Sequence, residues 1–272
     1  MPSSLARLIE KMYVKTFAKP SMQKINNKIL HFALRGRGYN NFIDSRETGE
    51  TNFFSILSKF NVRLCIDIGA NKGNYSRSLL EIPGTKVIAF EPLPKAFKSL
   101  EDLQKKYSDR FECFNLGIAD KDTFLTLHFG EEDSEFASFS SEVNSIDYVG
   151  KSNVNTIEVK VKTLDGFLEE RMSEEIDLLK IDTEGFEYEV LVGAAKTIRN
   201  NPPKFVQLEF NYHQLFRNQS LLSLSKLLPG YKPHQLLPFD YGMALRDPTL
   251  PESNFYYFSN FIFVREDIAA KL

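Results

Sequence analysis

The chain's most informative stretch is Leu64-Cys-Ile-Asp-Ile-Gly-Ala-Asn-Lys-Gly-Asn-Tyr-Ser76. Its first five residues are a largely apolar run that predicts a buried strand, which ends at Gly69, and Gly73 follows four residues later. A helical pattern begins directly after Gly73. A strand that ends in a glycine-bearing turn and opens a helix brings backbone N–H groups close to a ligand, so the stretch predicts a binding site in an α/β fold.

An acidic residue lies at the end of the next apolar run. Residues 87–90 predict a second strand, and Glu91 follows it, 18 residues beyond Gly73. Doubly wound sheets place at this point the carboxylate that binds the ribose diol of a nucleoside. This arrangement therefore predicts a nucleoside-binding site, because it combines a strand, a turn and a helix with a second strand that ends in an acid.

The turn lacks the glycines of a dinucleotide site. In the pattern G-x-G-x-x-G counted from Gly69, the second and third glycines fall where this chain has Asn71 and Asn74. Those glycines let the backbone approach a pyrophosphate and let the helix pack on the strand. S-adenosylmethionine has a ribose but no pyrophosphate and fits the turn better. Asn71 would reach its amino-acid end, and Asp67 would orient the loop or, through water, the ammonium group.

Several motifs occur in the order typical of one enzyme family. They are Asp67-Ile-Gly-Ala-Asn-Lys-Gly-Asn-Tyr-Ser76, Phe90-Glu-Pro92, Asn115-Leu-Gly-Ile-Ala-Asp120, Thr163-Leu-Asp165 and Leu179-Lys-Ile-Asp-Thr-Glu-Gly-Phe-Glu187. Over about residues 60 to 265 the chain resembles the FkbM-type family of S-adenosylmethionine-dependent methyltransferases. The resemblance implies a class I methyltransferase fold and O-methylation of a sugar or polyketide hydroxyl. The cofactor-binding residues that we expect are Asp67, Gly69, Asn71, Gly73, Glu91, Asn115, Gly117 and Asp182.

Apolar runs alternate with helical patterns from residue 64 onward, which predicts a doubly wound, Rossmann-like and mostly parallel sheet. The last strand of class I enzymes lies antiparallel between its neighbours. Two segments with alternating polarity predict further strands, either as an excursion near the acceptor site or as an edge hairpin. The predicted strands are 64–68, 86–90, 111–115, 123–129, 156–161, 177–181, 204–210 and 255–264, and the predicted helices are 74–82, 94–106, 165–172 and 186–200.

An acidic block follows the predicted strand 177–181. Asp182, Glu184 and Glu187 lie within six residues, at the sheet edge where open α/β sheets bind ligands. We expect Asp182 to meet the methionine end of the cofactor and to orient or deprotonate the acceptor hydroxyl, with Glu184 as a second catalytic candidate. Glu184 and Glu187 can instead stabilise the following helix through its dipole. Three carboxylates also suit Mg²⁺, but the resemblance requires no metal and none is predicted.

His213 is the third catalytic candidate. It follows the predicted strand 204–210 at the same sheet edge, and the ordinary pKa of histidine suits general-base work. A structural hydrogen-bonding role is the alternative. The segments 130–155 and 212–256 are expected to shape the acceptor pocket. Candidate acceptor contacts in the second segment, for which surface or packing roles are favoured, are Arg217, Tyr241 and Arg246.

The first 60 residues predict an N-terminal helical extension, followed by a methyltransferase domain over residues 61–272. Residues 1–40 hold eight Lys and Arg residues and one acid, although the net charge of the whole chain is only −2. Apolar residues recur at helical spacing among these charges. Such a basic amphipathic helix can pack on the catalytic domain or make weak contact with an anionic membrane, and packing is favoured because such stripes are usually core.

Composition excludes several classes of protein. A hydrophobic share of 42% with 13% aromatic residues excludes wholesale disorder. The nearly balanced net charge excludes a purely electrostatic nucleic-acid binder, so we expect a small-molecule or glycan acceptor and no nucleic acid. No segment approaches the ~18 apolar residues of a membrane span, and no signal peptide is recognisable, so a cytoplasmic location is expected.

Two alternatives to a methyltransferase remain. An NAD-type oxidoreductase uses a similar sheet, but Asn71 and Asn74 replace its glycines. A non-catalytic scaffold in a glycan pathway would keep the fold without the activity, although the intact loop, Glu91 and Asp182 argue against such decay.

Overall fold

The computed structural model describes residues 4–130, 137–169, 171 and 174–272. Its main sheet has eight strands in the spatial order β10-β9-β11-β8-β7-β1-β2-β3. These strands are β1 (Leu64–Ile68), β2 (Lys86–Phe90), β3 (Phe111–Phe114), β7 (Leu178–Ile181), β8 (Phe205–Phe210), β9 (Tyr231–Leu236), β10 (Met243–Leu245) and β11 (Ser259–Arg265).

The central strands are parallel and the last strand is not. Strands β3, β2, β1, β7 and β8 pair in parallel, whereas β11 is antiparallel to both β8 and β9 and lies between them. The predicted class I sheet with an inserted antiparallel last strand is thus confirmed. Strand β1 is buried at all five residues, as its nearly continuous apolar run requires of a strand with helices on both faces.

Helices cover the sheet and precede it. Their bounds are α1 (Ser4–Phe17), α2 (Gln23–Gly36), α3 (Glu50–Lys59), α4 (Asn74–Leu80), α5 (Pro94–Lys106), α6 (Asp147–Ser152), α7 (Leu164–Glu169), α8 (Glu187–Gly193), α9 (Ala195–Asn200), α10 (His213–Phe216), α11 (Leu221–Ser225) and α12 (Glu266–Ala269).

The predicted helix 186–200 is two helices. Helix α8 ends at Gly193, where an added Cβ would lie 1.9 Å from the carbonyl oxygen of Ala119. The backbone therefore approaches its neighbour so closely that only glycine fits, and the chain turns at Ala194 before α9 begins. The predicted helix 165–172 extends in part beyond the described residues.

A small second sheet contributes Gly117, Ile118 and Leu127 to the lining of a cavity that also includes residues at the carboxyl ends of the main strands. Its strands are β4 (Gly117–Ile118), β5 (Thr123–Phe129) and β6 (Asn155–Lys162), in the order β4-β6-β5. Strands β5 and β6 are antiparallel partners, so the two segments predicted from alternation form a hairpin within this separate sheet. Residues 131–136 of the predicted polar segment lie outside the described residues.

Strands β9 and β10 were not predicted. Strand β9 contains Pro233, and proline removes a ladder donor, which argues against a strand in a sequence pattern. The pairing tolerates it because β10 joins β9 only at residues 234–236. Just beyond that pairing, the Pro233 carbonyl oxygen accepts the N–H of Arg246. The missing donor of Pro233 therefore faces the end of β10 and not β11.

Helix α3 packs into the core of the sheet. Phe53 and Leu57 are fully buried, and the rings of Phe53 and Phe60 meet Phe205 of β8 edge to face at 5.8 and 5.4 Å. Residues 50–60 are therefore part of the same folded unit as the sheet. The division at residue 60 stays a prediction, and a boundary upstream of α3 agrees better with this packing.

Helix α1 does not pack as expected. The described residues of α1 include no buried side chain, and α2 buries only Leu34. The favoured interpretation, an apolar stripe packed on the catalytic domain, is wrong for α1. The C-terminal end of α2 is anchored by Leu34, and the chain just after it is anchored by the buried Tyr39. The ring centroids of Tyr39 and Phe255 lie 5.6 Å apart.

Truncation of Phe53 tests whether α3 belongs to the folded core. We expect Phe53→Ala to lower the free energy of unfolding by about 3–5 kcal/mol, because a fully buried ring is lost and a cavity remains beside Phe205. Urea unfolding followed by circular dichroism measures the change. Phe124→Ala, at an exposed ring on β5, is the control and should stay within about 0.5 kcal/mol of wild type. Equal small losses in both variants would contradict the packing of α3.

Candidate active site

A cavity of about 460 Å³ opens at the carboxyl ends of the parallel strands. This is the edge at which open α/β sheets bind ligands, and the volume lies within the usual range of small-molecule sites. Its described lining combines the loop after β1, the acid after β2, the acidic block after β7 and three residues preceding β1. The lining residues include Ser45, Glu50, Phe54, Gly69, Asn71, Lys72, Phe90, Glu91, Leu93, Gly117, Ile118, Ala137, Phe139, Lys180, Asp182, Glu184 and Glu209.

The loop after β1 is shaped by its two glycines. Gly69 has φ +78°, and an added Cβ would lie 1.8 Å from the carbonyl oxygen of Asp182, so only glycine fits. Gly73 has φ +79° and packs against Leu100 of α5, where a Cβ would lie 2.7 Å from the side chain. Gly69 therefore lies at the cavity, whereas Gly73 is a packing residue that the described lining does not include.

Glu91 connects this loop to β2. Its two carboxylate oxygens accept the backbone N–H groups of Asn71 and Leu93, each at 2.8 Å. The side chain is buried, and burial raises its pKa to about 7 despite those two hydrogen bonds. The structure thus places the predicted ribose acid at the cavity wall.

Asn115 and Gly117 support the same region differently. The Asn115 amide donates to the carbonyl oxygens of Glu91 at 2.8 Å and Pro92 at 3.0 Å, so it holds the loop from outside the described lining. Gly117 lines the cavity, and a Cβ there would lie 2.8 Å from the ring of Phe139. The space that Gly117 leaves is therefore occupied by an aromatic wall.

Lys180 is buried between two aspartates. Its Nζ lies 3.4 Å from Asp67 and 3.1 Å from Asp182. Burial opposes the charge of the ammonium group, but the attraction of Asp182 and Asp67 raises the pKa of Lys180. Asp67 also accepts the hydroxyl of Ser76 at 2.6 Å and is fully buried. The predicted role of Asp67 in orienting the loop agrees with this geometry, whereas its carboxylate is absent from the described lining.

Three carboxyl groups converge at the end of the cavity. Asp182, Glu184 and Glu209 each offer an oxygen within 4.8 Å of the others. Burial, followed by repulsion from Asp182 and Glu184, raises the pKa of Glu209 well above its ordinary value. Glu209 thus favours the protonated form more than a solvent-exposed glutamate does.

Glu187 does not belong to this cluster. Its carboxylate accepts the N–H groups of Thr183 at 3.0 Å and Gly185 at 3.2 Å and the amide of Gln214 at 2.7 Å. The alternative of a magnesium site built from Asp182, Glu184 and Glu187 is therefore wrong. The carboxylate of Glu187 instead fixes the turn into α8, and its place in the first turn of that helix agrees with the predicted dipole role. The expectation of a metal-free site stays a prediction.

His213 lies behind Glu184 and outside the described lining. It is 1% exposed, and its Nδ1 lies 2.8 Å from a carboxylate oxygen of Glu184. Burial lowers the pKa of His213, although Glu187 and Asp182 oppose that change. Glu184 itself has φ +52° in the left-handed region, which is strained for a non-glycine residue. The structure thus places the strained Glu184 at the cavity and the ring of His213 behind it.

The candidate acceptor contacts near the C-terminus have other partners. Arg217 forms ion pairs with Glu142 and Glu189. Arg246 donates to the side chain of Gln235 and to the carbonyl oxygen of Arg37. No residue from 212–256 is among the described cavity residues, whereas Ala137 and Phe139 of the segment 130–155 are. Of the two segments expected to shape the acceptor pocket, only 130–155 contributes to the lining of this cavity, and the place of the acceptor stays a prediction.

Two cavity acids were missed as site residues. Glu50 lies at the start of α3, and its carboxylate accepts the amide of Gln207 at 3.0 Å. No sequence signal connects this residue with the sheet. Glu209 had a signal, because it ends the same predicted strand that led to His213, but the pattern did not show which of the two faces the cavity.

Comparison with known proteins identifies the chain as a methyltransferase. The profile of the Methyltransferase FkbM domain matches residues 67–238, which include the loop after β1, Glu91 and the acidic block. The match spans more than half of the chain. The chain therefore belongs to the FkbM methyltransferase domain family.

Curated relatives match over parts of their length. The 2-O-methyltransferase NoeI of Sinorhizobium fredii is 26% identical over 176 residues, which cover 61% of this chain and 71% of that protein. The AMB antimetabolite synthetase AmbE of Pseudomonas aeruginosa is 28% identical over 157 residues, which cover 47% of this chain and 7% of that much longer protein.

A solved structure of an FkbM methyltransferase is also similar. The protein from Methylobacillus flagellatus KT has a TM-score of 0.47 and 15% identity to this chain. The similar region covers 74% of this chain and 43% of that chain, so the present chain spans less than half of its length.

Replacement of Glu91 tests its raised pKa. The folded protein retains a proton on Glu91 that the unfolded chain loses between the ordinary pKa of 4.5 and about 7. The stability due to this group is therefore complete below pH 4.5 and decreases as the pH rises to 7. Between about pH 5 and about pH 7.5, we expect the free energy of unfolding of wild type, relative to Glu91→Gln, to fall by about 2.5 kcal/mol. Urea unfolding at about pH 5 and about pH 7.5 measures it.

The exposed Glu81 provides the matched control. Glu81→Gln makes the same chemical change without burial, so its difference from wild type should not vary by more than about 0.5 kcal/mol over the same window. A constant difference between wild type and Glu91→Gln would contradict the raised pKa.

Proposed function

We propose that this methyltransferase uses S-adenosylmethionine and transfers its methyl group to a hydroxyl of a sugar, a glycan or a related small molecule. The observation that carries the cofactor assignment is the charge of the cavity wall. Five described carboxyl groups line it, against two ammonium groups. The carboxyl groups are those of Glu50, Glu91, Asp182, Glu184 and Glu209, and the ammonium groups are those of Lys72 and Lys180.

This excess of carboxyl groups favours a cationic ligand, because a bound cation offsets the repulsion among the acids and favours their ionised forms. S-adenosylmethionine carries a sulfonium and an ammonium charge, whereas NAD carries a pyrophosphate that the same wall would repel. The loop also retains Asn71 and Asn74 where a dinucleotide site needs glycines. Both observations disfavour the oxidoreductase alternative. A protein that serves only as a scaffold also has no need for a cavity with a strained residue at its edge.

The residues present fit the cofactor in three parts. Glu91 would accept the ribose diol, and the apolar side chains of Phe90, Leu93 and Ile118 would surround the purine base. Asp182, held by Lys180, lies beside the loop at Gly69 and would face the amino-acid end. When bound, S-adenosylmethionine supplies an activated methyl group, so the protein needs mainly to align the acceptor and remove its proton.

Glu184 is the proposed base for the acceptor hydroxyl. Its carboxylate lies at the cavity, and Nδ1 of His213 lies 2.8 Å from it on the far side. Ser138 donates its hydroxyl to the Glu184 carbonyl at 2.7 Å, so the backbone of the strained residue is held. We assign His213 as a positioning residue for this carboxylate, and Glu209 could share a proton with its neighbours within the carboxyl cluster.

The acceptor class rests on the family and on one relative. The family resemblance implies a sugar or polyketide hydroxyl, and the relative NoeI is named a 2-O-methyltransferase. The acceptor would enter beside Ala137 and Phe139, which come from the segment that joins the strands of the small sheet. An aromatic ring at this place offers an apolar face on which a sugar ring can lie.

Calorimetry tests the cofactor. We expect S-adenosylmethionine to bind and NAD to give no binding heat, because the acidic wall favours cations. Glu91→Ala should weaken S-adenosylmethionine binding at least about tenfold through loss of the hydrogen bonds between its carboxyl group and the ribose. Glu81→Ala is the control and should bind as wild type does. Tight NAD binding without S-adenosylmethionine binding would contradict the proposal. Unchanged affinity of Glu91→Ala for S-adenosylmethionine would exclude Glu91 as a cofactor-binding residue.

Single-turnover transfer of a labelled methyl group to a panel of sugars tests the base. Glu184→Gln should lower the rate about 100-fold with little change in cofactor affinity, because proton removal is lost. Asp182→Asn should act mainly on cofactor affinity. His213→Gln should shift the pH at which the rate is half-maximal, because it changes the partner of the base. A full rate in Glu184→Gln would exclude Glu184, and no methylation of any sugar would exclude the carbohydrate assignment.

A further inference from the structure

The two N-terminal helices, α1 and α2, expose their apolar side chains to solvent. Leu5 and Met12 of α1 have exposed fractions of 65% and 63%, and Phe32 of α2 reaches 70%. Half of the large apolar side chains that are exposed among the described residues lie between residues 5 and 43. Soluble proteins rarely leave so much contiguous apolar surface uncovered, so this surface indicates a binding partner.

Basic residues border the apolar stripe of α1. Arg7, Lys11 and Lys15 follow one another at intervals of four residues and form a row along the helix. The stripe next to them consists of Leu5, Leu8, Ile9 and Met12. Glu10 is the single acidic residue of α1.

Helix α2 repeats this arrangement. Lys24 and Lys28 lie four residues apart, beside the exposed residues Ile25, Ile29 and Phe32. Its sequence contains no Asp or Glu. Both helices therefore combine an apolar stripe with a basic flank, which is the pattern of helices that lie in the surface of an anionic bilayer.

We propose that α1 and α2 bind the surface of an anionic lipid bilayer. The apolar stripes would enter the boundary between headgroups and acyl chains, while the lysines reach lipid phosphates. Helix α1 has 14 residues and is about 21 Å long, which is shorter than the ~30 Å hydrocarbon core. No described helix is long and apolar enough to cross a membrane, so the helices lie on the bilayer.

Two other occupants fit these helices less well. A second copy of the chain would bring two equally basic surfaces together, and like charges repel. A nucleic acid would pair with the lysines but would leave the apolar stripes in water, because its phosphate backbone offers no apolar surface. A bilayer satisfies both the charge and the apolar stripe.

Further exposed apolar residues lie near the cavity mouth. Phe42 and Ile43 are 65% and 73% exposed, two to three residues before Ser45 of the cavity lining. Their loop is joined to the loop of Tyr241, 76% exposed, by a hydrogen bond from Phe239 N–H to the Arg46 carbonyl. The bound enzyme would thus hold its cavity close to acceptors anchored in the same bilayer. This consequence rests on the proposed function, whereas bilayer binding itself does not.

Vesicle flotation of the full chain tests the proposal. We expect binding to vesicles of phosphatidylglycerol and phosphatidylcholine, weaker binding as salt increases, and little binding to phosphatidylcholine alone. The double variant Leu8→Asp with Met12→Asp should reduce partitioning at least about tenfold, because it places charge in the apolar stripe. The matched control, Phe124→Asp with Val154→Asp, changes two other exposed apolar residues and should bind as wild type does.

Three results would overturn the proposal. One is the absence of wild-type binding to the anionic vesicles. Another is equal vesicle binding by the two double variants. The third is a wild-type dimer in light scattering that Leu8→Asp with Met12→Asp dissociates, without vesicle binding, which would identify a second copy as the occupant. Vesicle binding needs no methyl transfer, so failure of this test would leave the calorimetric test of the cofactor unaffected.

Discussion

The ammonium group of Lys180 is the buried charge around which the active site is organised. It lies in the middle of the sheet, where Lys180 of β7 is paired in register with Asp67 of β1. A buried ammonium ion is costly unless compensated, and here Asp67 on one side and Asp182 on the other provide that compensation. The need for both carboxylates beside Lys180 fixes the end of β7 relative to the loop after β1. It also brings the carbonyl of Asp182 against Gly69, which explains why no side chain is tolerated there.

Two groups of acids in and behind the cavity wall have different surroundings. Glu91 and Glu187 are held by backbone N–H groups and so define the shape of two turns. Glu184 and Glu209 lie close to Asp182, where each negative charge disfavours the next. The first group gives the site its rigidity. The second concentrates carboxyl groups at one end, which is the electrostatic condition for attracting a cation and for accepting a proton.

The sequence was most informative where local pattern and long-range structure agree. The parallel strands, the loop at Gly69 and the position of Glu91 follow from apolar runs and glycine spacing, because buried strands and tight turns leave these local signatures. The direction in which a side chain points beyond the end of a strand leaves no such local signature in the sequence. Glu209 and His213 were equivalent in the sequence, yet the first faces the cavity and the second is buried behind Glu184. Glu50 depends on how α3 packs against β8, a contact between segments about 150 residues apart.

The position of α3 has a consequence for modular evolution of the family. The family match begins at residue 67, but Ser45, Glu50 and Phe54 form part of the cavity wall. A recombination event with its breakpoint at the start of the match would therefore separate a catalytic sheet from one side of its own binding site. The segment that forms the binding site of this chain is longer than the segment that the family profile matches. It includes a preceding segment whose sequence shows no sign of its place in the cleft.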